Sequence, residues 1–296
     1  MAEQAKKTMH SLNCEYQLGV SAADYEVIVV ENSSSNNLSE ADVKACGENF
    51  HYIRRQEALP TPVFAINHGA SKATGTHICV MIDGARLVSP GIVNYMLAAA
   101  RLAKNPVIAA PGYHLGPKLQ RISIQEGYCP AEENRLLSSI QWPLDGYRLF
   151  EISCLSGTSR GGFFKPMGES NCICVSKAMF DQLKGFDEKF TETGGGQVNL
   201  DFYKRAVEVA DSSLIVLLGE GSFHQLHGGI TTDAQGSHRR QSMLDHFAQY
   251  VELRGAPYQA PNKRPIYLGT VPDSALEFIQ TGAAQGLDGY KQQANS

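Results

Sequence analysis

No run of apolar residues in this chain approaches the roughly 18 that a membrane-spanning helix needs, so no transmembrane segment is expected. The N-terminal stretch is polar and has no apolar core segment, which predicts no signal peptide. Basic residues are not gathered anywhere: Arg54-Arg55 and Arg239-Arg240 are isolated pairs, and the formal net charge is -4. A nucleic-acid partner would need a clustered basic face, so none is expected. Repeats and low-complexity segments are also missing. The 7 cysteines are odd in number and irregularly spaced, and Cys79, Cys172 and Cys174 lie in apolar runs. That pattern fits free buried thiols in a reducing compartment better than a disulfide framework. Cys172-Ile173-Cys174 is too tightly spaced for a zinc knuckle. A cytoplasmic protein is the expectation. The 296 residues suffice for one large α/β domain or two small ones.

The chain is organised around the stretch from Lys72 to Arg86. It turns at Gly75, runs apolar from His77 to Ile82, and stops at Asp83. Short apolar runs bounded by turn residues predict buried strands of a parallel sheet. Ligands of open α/β sheets bind beyond the carboxyl ends of the strands. Asp83 therefore either faces a cleft or simply caps a turn, a common place for Asp.

Upstream, Ala5, Met9, Leu12 and Tyr16 recur at helical spacing, predicting a helix over 2–18 that Gly19 ends. A strand over 25–30 runs into a polar cluster over 31–37. Ser39 is placed to cap a short helix, and a weaker strand follows at 50–54. Residues 62–74 form a helix carrying Asn67. Ser89-Pro90 has the pattern of a helix start, and 107–110 that of another strand. The stretch 111–167 has poor periodicity and only 131–140 reads as helical. Its aromatics argue against disorder, so it is read as a substrate-side insertion. Strands at 171–175 and 214–218 and helices at 177–183, 198–209 and 239–254 follow, with a short helix from Asp273. The alternation of strand and helix predicts βα units.

Several motifs carry chemistry. Gly157-Thr158-Ser159-Arg160-Gly161 has the spacing of a hydrolase nucleophile elbow, but no helix follows it, as that motif requires. Gly194-Gly195-Gly196 is either a phosphate cradle at a helix start or a flexible entry loop. His224 and His227 flank a turn after a strand. With Asp83 at another strand end they suggest nitrogen and oxygen ligands for a divalent ion.

Together these stretches resemble the family-2 glycosyltransferases of the GT-A type, over roughly residues 5–230. Tyr25 to Ser34 looks like that family's second strand, whose terminal acidic residue contacts the nucleoside. Asn67 through Arg86 looks like its Asn-x-Gly helix and the strand ending in Asp-x-Asp. Leu183-Lys184-Gly185-Phe186-Asp187-Glu188 is similar to its Gly-Gly-Phe-Asp-Glu signature. The resemblance implies a GT-A-like α/β fold with a central, mostly parallel sheet over 1–238. Residues 111–167 would be the acceptor-side insertion and 239–296 a helical extension. It implies nucleotide-sugar contacts from Glu31, Asn32, Ser33, Asn67, Asp83, Gly84 and Arg86. It also implies a divalent metal, Mn2+ or Mg2+, as Lewis acid on the diphosphate. The turn from His224 to His227 is judged too tight for both rings to face one ion. Asp83 and His227 are therefore the expected ligands, with His224 structural or a phosphate donor.

Three features depart from the family pattern. The family's first strand has no counterpart here, leaving an apolar edge near Val27 to Val30, where self-association is expected. The chain's start is read as an internal start or a truncation. Ala85 replaces the second carboxylate of Asp-x-Asp. Gly196 and Gln197 replace the acceptor-side acidic pair, with Asn199 at a further acidic position. An amide cannot act as a general base, so Glu192, Asp201 and Glu169 are the candidate catalytic carboxylates. The expected function is transfer of a sugar from a nucleotide-sugar donor to a glycan or small-molecule acceptor. The alternatives are a non-catalytic sugar-nucleotide-binding module of the same fold, or a nucleotidyltransferase or hydrolase on a similar sheet.

Overall fold

Runs rich in Val and Ile become strands because branched side chains fit a pleated, covered surface. In the computed structural model, which describes residues 1–34, 36–82, 84–228 and 236–291, helix α1 (Ala2–Ser11) comes first. It is followed by β1 (Val27–Glu31), α2 (Glu40–Lys44), β2 (Phe50–Arg54), α3 (Val63–Lys72) and β3 (His77–Met81). Next are β4 (Arg86–Val88), α4 (Ile92–Ala99), β5 (Pro106–Ala109) and β6 (Gly112–Leu115). The aperiodic stretch holds α5 (Gln120–Ser123), α6 (Pro130–Ser139) and β7 (Ser153–Leu155), joined by 3₁₀ turns. Then come β8 (Cys172–Ser176), α7 (Lys177–Gln182), α8 (Val198–Val207), β9 (Ser213–Leu218) and β10 (Ser222–His224). The chain finishes with α9 (Gly236–Arg254), β11 (Ile266–Gly269) and α10 (Leu276–Lys291).

The central sheet has the order β11-β9-β5-β8-β3. β11, β9 and β5 pair in parallel, and β8 is antiparallel to both β5 and β3. β8 alone is reversed, so the sheet is mostly parallel, as expected. One face packs on α3, α7 and α8 through Val80, Val107, Phe186 and Phe202, the other on α4 through Ile92 and Met96. A second sheet, β4-β10-β6-β7, takes β6 and β7 from the stretch expected to be an insertion and β4 and β10 from either side of it. Tyr113, Phe150 and Phe223 pack there with centroids 5.0 to 5.1 Å apart. The C-terminal segment is more than helical. β11 extends the central sheet, and Gly282 of α10 packs so closely on Gly162 that a Cβ there would come within 2.9 Å. No helix among the described residues is long and apolar enough to cross a membrane.

The strands on the N-terminal side are separated from the central sheet by a break. β1 and β2 form a separate parallel pair, and β3 ends the central sheet with no partner on its outer side among the described residues.

Local chemistry explains where boundaries moved. Ser39 caps α2 as expected: its hydroxyl accepts from Asp42 N at 3.0 Å, and the Asp42 carboxylate accepts from Ser39 N at 3.2 Å. Ser89 does not cap α4, which starts at Ile92. Its hydroxyl instead donates to the Glu220 carboxylate, which is wholly buried in the turn between β9 and β10. Tyr147 Oη donates to the other oxygen at 2.7 Å. A Cβ on Gly91 would lie 2.5 Å from Glu220 Oε1, so only glycine fits there.

Burial raises the Glu220 pKa from 4.5 to about 7, against the donors on Ser89, Tyr147 and Gly91. A raised folded-state value means the native state holds the extra proton. The stabilisation is full below the unfolded value near 4.5 and is lost as pH rises through about 7. The span is on the order of 3 kcal/mol. Glu220→Gln should flatten the stability profile between pH 5 and about pH 8. Urea unfolding at several pH values checks this: an unchanged slope in the variant would show that other groups set it.

Candidate active site

The break in the sheet opens into a cavity of about 1750 Å³ at the carboxyl ends of β1, β3 and β10. Asn32, Ser33, Gly84, Arg86, His224 and His227 line one part. Glu169, Asn171, Gln197, Asn199 and His246 line another.

The histidine side is built around Gln120. Its amide nitrogen donates to the His224 carbonyl at 2.9 Å, which turns its oxygen toward His224 Nδ1 at 2.6 Å. Nδ1 must therefore carry the proton, and the lone pair of His224 Nε2 points outward. It meets His227 Nε2 at 3.0 Å. The turn is tight but brings the two ring nitrogens against each other. Gln225 and Leu226 leave the strand and bring the second ring back over the first. His114 packs 5.6 Å from His224 and its Nδ1 accepts from Gln120 N. Burial lowers the His224 pKa well below its ordinary value, and Arg86, His227 and His114 lower it further. His114 falls to about 4 through burial and Arg86. Buried Arg86 is thus the fixed positive charge of this wall, its Nε donating to Ile82 O at 3.1 Å.

The opposite wall is polar and short of donors. Asn199 Nδ2 donates to Asn171 Oδ1 at 2.8 Å, but Asn199 Oδ1 and Gln197 Oε1 are buried without a partner among the described residues. Asn32 Oδ1, at the end of β1, is in the same state. Buried acceptors without donors are costly. Glu169 is half-buried on this wall and accepts from Thr158 Oγ1 at 3.1 Å.

Several expected site residues are placed elsewhere. Asp83 lies outside the described residues. Asn67 does not line the cavity. Its amide donates to Phe186 O at 2.9 Å and accepts from Phe186 N at 2.9 Å, clamping the signature loop. Glu31 reaches the cavity, but its carboxylate accepts from Leu38 N at 3.1 Å and Tyr52 Oη at 2.6 Å, closing its own loop. Asp201 cannot act as a base: it is 1% exposed, and both oxygens are taken by Arg205 Nε at 2.7 Å and Arg254 Nε at 2.5 Å. Glu192 does not line the cavity. Glu169 is the one catalytic candidate on its wall. Gln120, His114 and His246 were not legible as site residues, because no spacing motif connects them.

The family model described as "Glycosyl transferase family 2" matches residues 4–152, half of the chain. The chain belongs to this family. The GT-A-type α/β fold and a glycosyl-transfer role follow from that membership. Solved structures similar to this family-2 chain include S. aureus TarS 1-349 in complex with UDP, at 12% identity and TM-score 0.48. That match covers 96% of this chain and 84% of the other. S. aureus TarS in a longer form matches at 10% identity and TM-score 0.49, covering 98% of this chain and 52% of the other. No match is found among curated proteins.

The family signature serves architecture in this glycosyltransferase. Phe186 stacks on Phe202 at 4.3 Å, and Asp187 Oδ2 pairs with Arg254 Nη2 at 2.7 Å. Arg254→Met would leave buried Asp201 with only Arg205 and Asp187 without its partner. Breaking a buried ion pair on one side costs about 3–5 kcal/mol. Urea unfolding should show a loss of that order, and a loss below about 1 kcal/mol would place the pair with ordinary surface bridges.

Proposed function

We propose that this chain moves a sugar from a nucleotide-diphospho-sugar to a hydroxyl of a glycan or small-molecule acceptor. The observation that carries it is the two-sided cavity: a fixed guanidinium and imidazole wall facing a wall of unpartnered acceptors with one carboxylate. Arg86 supplies charge suited to a diphosphate. Asn32, Gln197 and Asn199 accept hydroxyl donors from nucleoside and sugar. Glu169 takes the proton of the acceptor hydroxyl as general base.

The divalent ion belongs to the same proposal. The described residues hold no cluster of three His, Cys, Asp or Glu side chains suited to a metal. They do hold two imidazole nitrogens 3.0 Å apart, His224 with its tautomer set by Gln120. That spacing fits neighbouring ligands of one ion at about 2.1 Å each. With the Asp83 carboxylate, His227 and His224 would hold Mn2+ or Mg2+. The ion when bound offsets charge on the leaving diphosphate.

A binding module without turnover remains the second reading, favoured by the amides Gln197 and Asn199 where the family pattern has acids. A nucleotide-sugar panel with and without Mn2+, read by melting temperature and product release, separates the two. At least one donor should raise the melting temperature and be turned over. Glu169→Gln should keep that binding but lose about 10²- to 10⁴-fold in rate. His227→Ala should weaken Mn2+-dependent binding by at least about 10-fold. Stabilisation without turnover would establish the binding module, and no stabilisation by any donor would sink both readings.

A further inference from the structure

Two arginines stand on the rim of the cavity without a counter-charge. Arg121 and Arg160 both line it and are exposed. Surface guanidinium groups elsewhere are matched, Arg135 by Glu132 at 2.7 Å and Arg148 by Glu151 at 2.9 Å. Arg121 and Arg160 pair with no carboxylate among the described residues. The chain as a whole is acidic, with a formal net charge of -4, so the positive rim is a local feature. The walls of a cleft concentrate such a field.

Both residues are anchored on β6. Arg121 follows Gln120, whose N–H donates to His114 Nδ1 at 3.0 Å. Arg160 ends the turn after β7, and that turn is fastened to the start of β6. Gly112 N donates to Ser159 Oγ at 3.0 Å, and Ser156 N donates to Gly112 O at 2.9 Å. Gly112 and His114 are two residues apart along the strand, about 7 Å. Side chains as long as arginine can converge on one ligand group from anchors that close.

The ligand group they fit belongs to the acceptor. In the transfer reading, on which this inference rests, Arg86 and the divalent ion meet the donor diphosphate. Arg121 and Arg160 are left over. Arg160 also stands beside the acceptor chemistry. Thr158, two residues before it, donates to Glu169 at 3.1 Å, the general base of that reading. Arg160 Nε donates to Gly157 O at 3.1 Å, which steadies the side chain and leaves both Nη groups for a ligand. One guanidinium matches a carboxylate. Two match a phosphomonoester, which carries a charge of about -1.5 to -2 near neutral pH and offers three acceptor oxygens.

We propose that the acceptor is a phosphomonoester of a sugar or polyol, its phosphate held between Arg121 and Arg160 and a hydroxyl presented to Glu169. The acceptor oxygen bonds to the anomeric carbon as the bond from that carbon to the diphosphate breaks, and the hydroxyl proton passes to Glu169. The acceptor phosphate is a handle and leaves unchanged.

The test uses the full chain and calorimetry at about 0.15 M salt, where charges more than about 8 Å apart are screened. The probes are glucose 6-phosphate against glucose, glycerol 3-phosphate against glycerol, and glucuronate as the carboxylate arm. At least one phosphate should bind about tenfold or more tighter than its unphosphorylated partner and than glucuronate. Arg121→Gln and Arg160→Gln should each lose about tenfold, and the double variant should lose the preference altogether. Arg101→Gln, exposed and away from the cavity, should bind like the parent. The rise in melting temperature that a donor gives should be the same in every variant. Equal binding within both pairs, glucuronate binding as tightly as the phosphates, or a preference that survives the double variant would overturn the proposal. So would loss of donor stabilisation in Arg121→Gln or Arg160→Gln, since the arginines would then serve the diphosphate. Failure of every donor on the parent chain would sink the transfer reading alone, because the phosphate preference is measured without donor.

Discussion

The charge on Asp201 must be met inside the protein. A carboxylate 1% exposed is tolerated only when it is paired and hydrogen-bonded. Arg205, one turn along α8, takes one oxygen, and Arg254, at the end of α9, takes the other. The remaining guanidinium groups then fix the loops around them. Arg205 donates to Leu183 O and Gly185 O, and Arg254 donates to Asp187. Asn67 holds the same loop from α3. Gly185 must be glycine at φ +63°, since a Cβ would lie 2.5 Å from Asn67 Oδ1. One buried charge thus ties α3, α8, α9 and the signature loop into a frame.

That frame sets the polar wall of the cavity. Gln197 and Asn199 lie at the start of α8, the helix that carries Asp201. Both residues line the cavity, and the ion pairs on Asp201 fix the helix turn that carries them. The histidine wall is held by Gln120 of α5, which grips His224 at the end of β10. The site therefore sits between two supports that meet at Ile82, whose carbonyl accepts from Arg86 Nε and whose N–H donates to Asn171 O. This is the usual way a fold positions convergent polar groups over an apolar cleft.

Much of the fold was legible because its signals are local. The apolar runs at Val27, His77 and Ser213, the Ser39 capping box and the Phe186-Asp187 signature each depend on nearby residues. The second sheet was not legible: β4, β7 and β10 have three residues each, too short for a period to show. The site was legible only in outline. Residue type marked Glu31, Asn67 and Asp201 as polar groups at suggestive positions. Their partners come from far along the chain, as Arg254 does for Asp201, and those partners decide which polar group faces solvent. Glu169 differs from Asp201 in neighbours, not in anything its own sequence context records.

The break in the sheet bears on the site as well as on the fold. Asn32 and Ser33 sit at the end of β1, on a two-stranded pair. A sheet of two strands is marginal alone, and stability comes from more strands or a covering helix. Here α3 and α1 cover the pair, through Gly69 on Val30 and Met9 on Val27 and Val29. The Glu26 bridge to Thr74 and Gly75 ties it to β3 at the opposite end from the site. This lip of the cavity is therefore anchored at its far end and by packing, with a strand ladder on one side only, where β5, β8 and β9 have one on each side. Backbone bonds in such a position open at lower free energy than those of a central sheet. The geometry at Asn32 and Ser33 therefore rests on side-chain packing and on the Glu26 bridge more than on strand pairing.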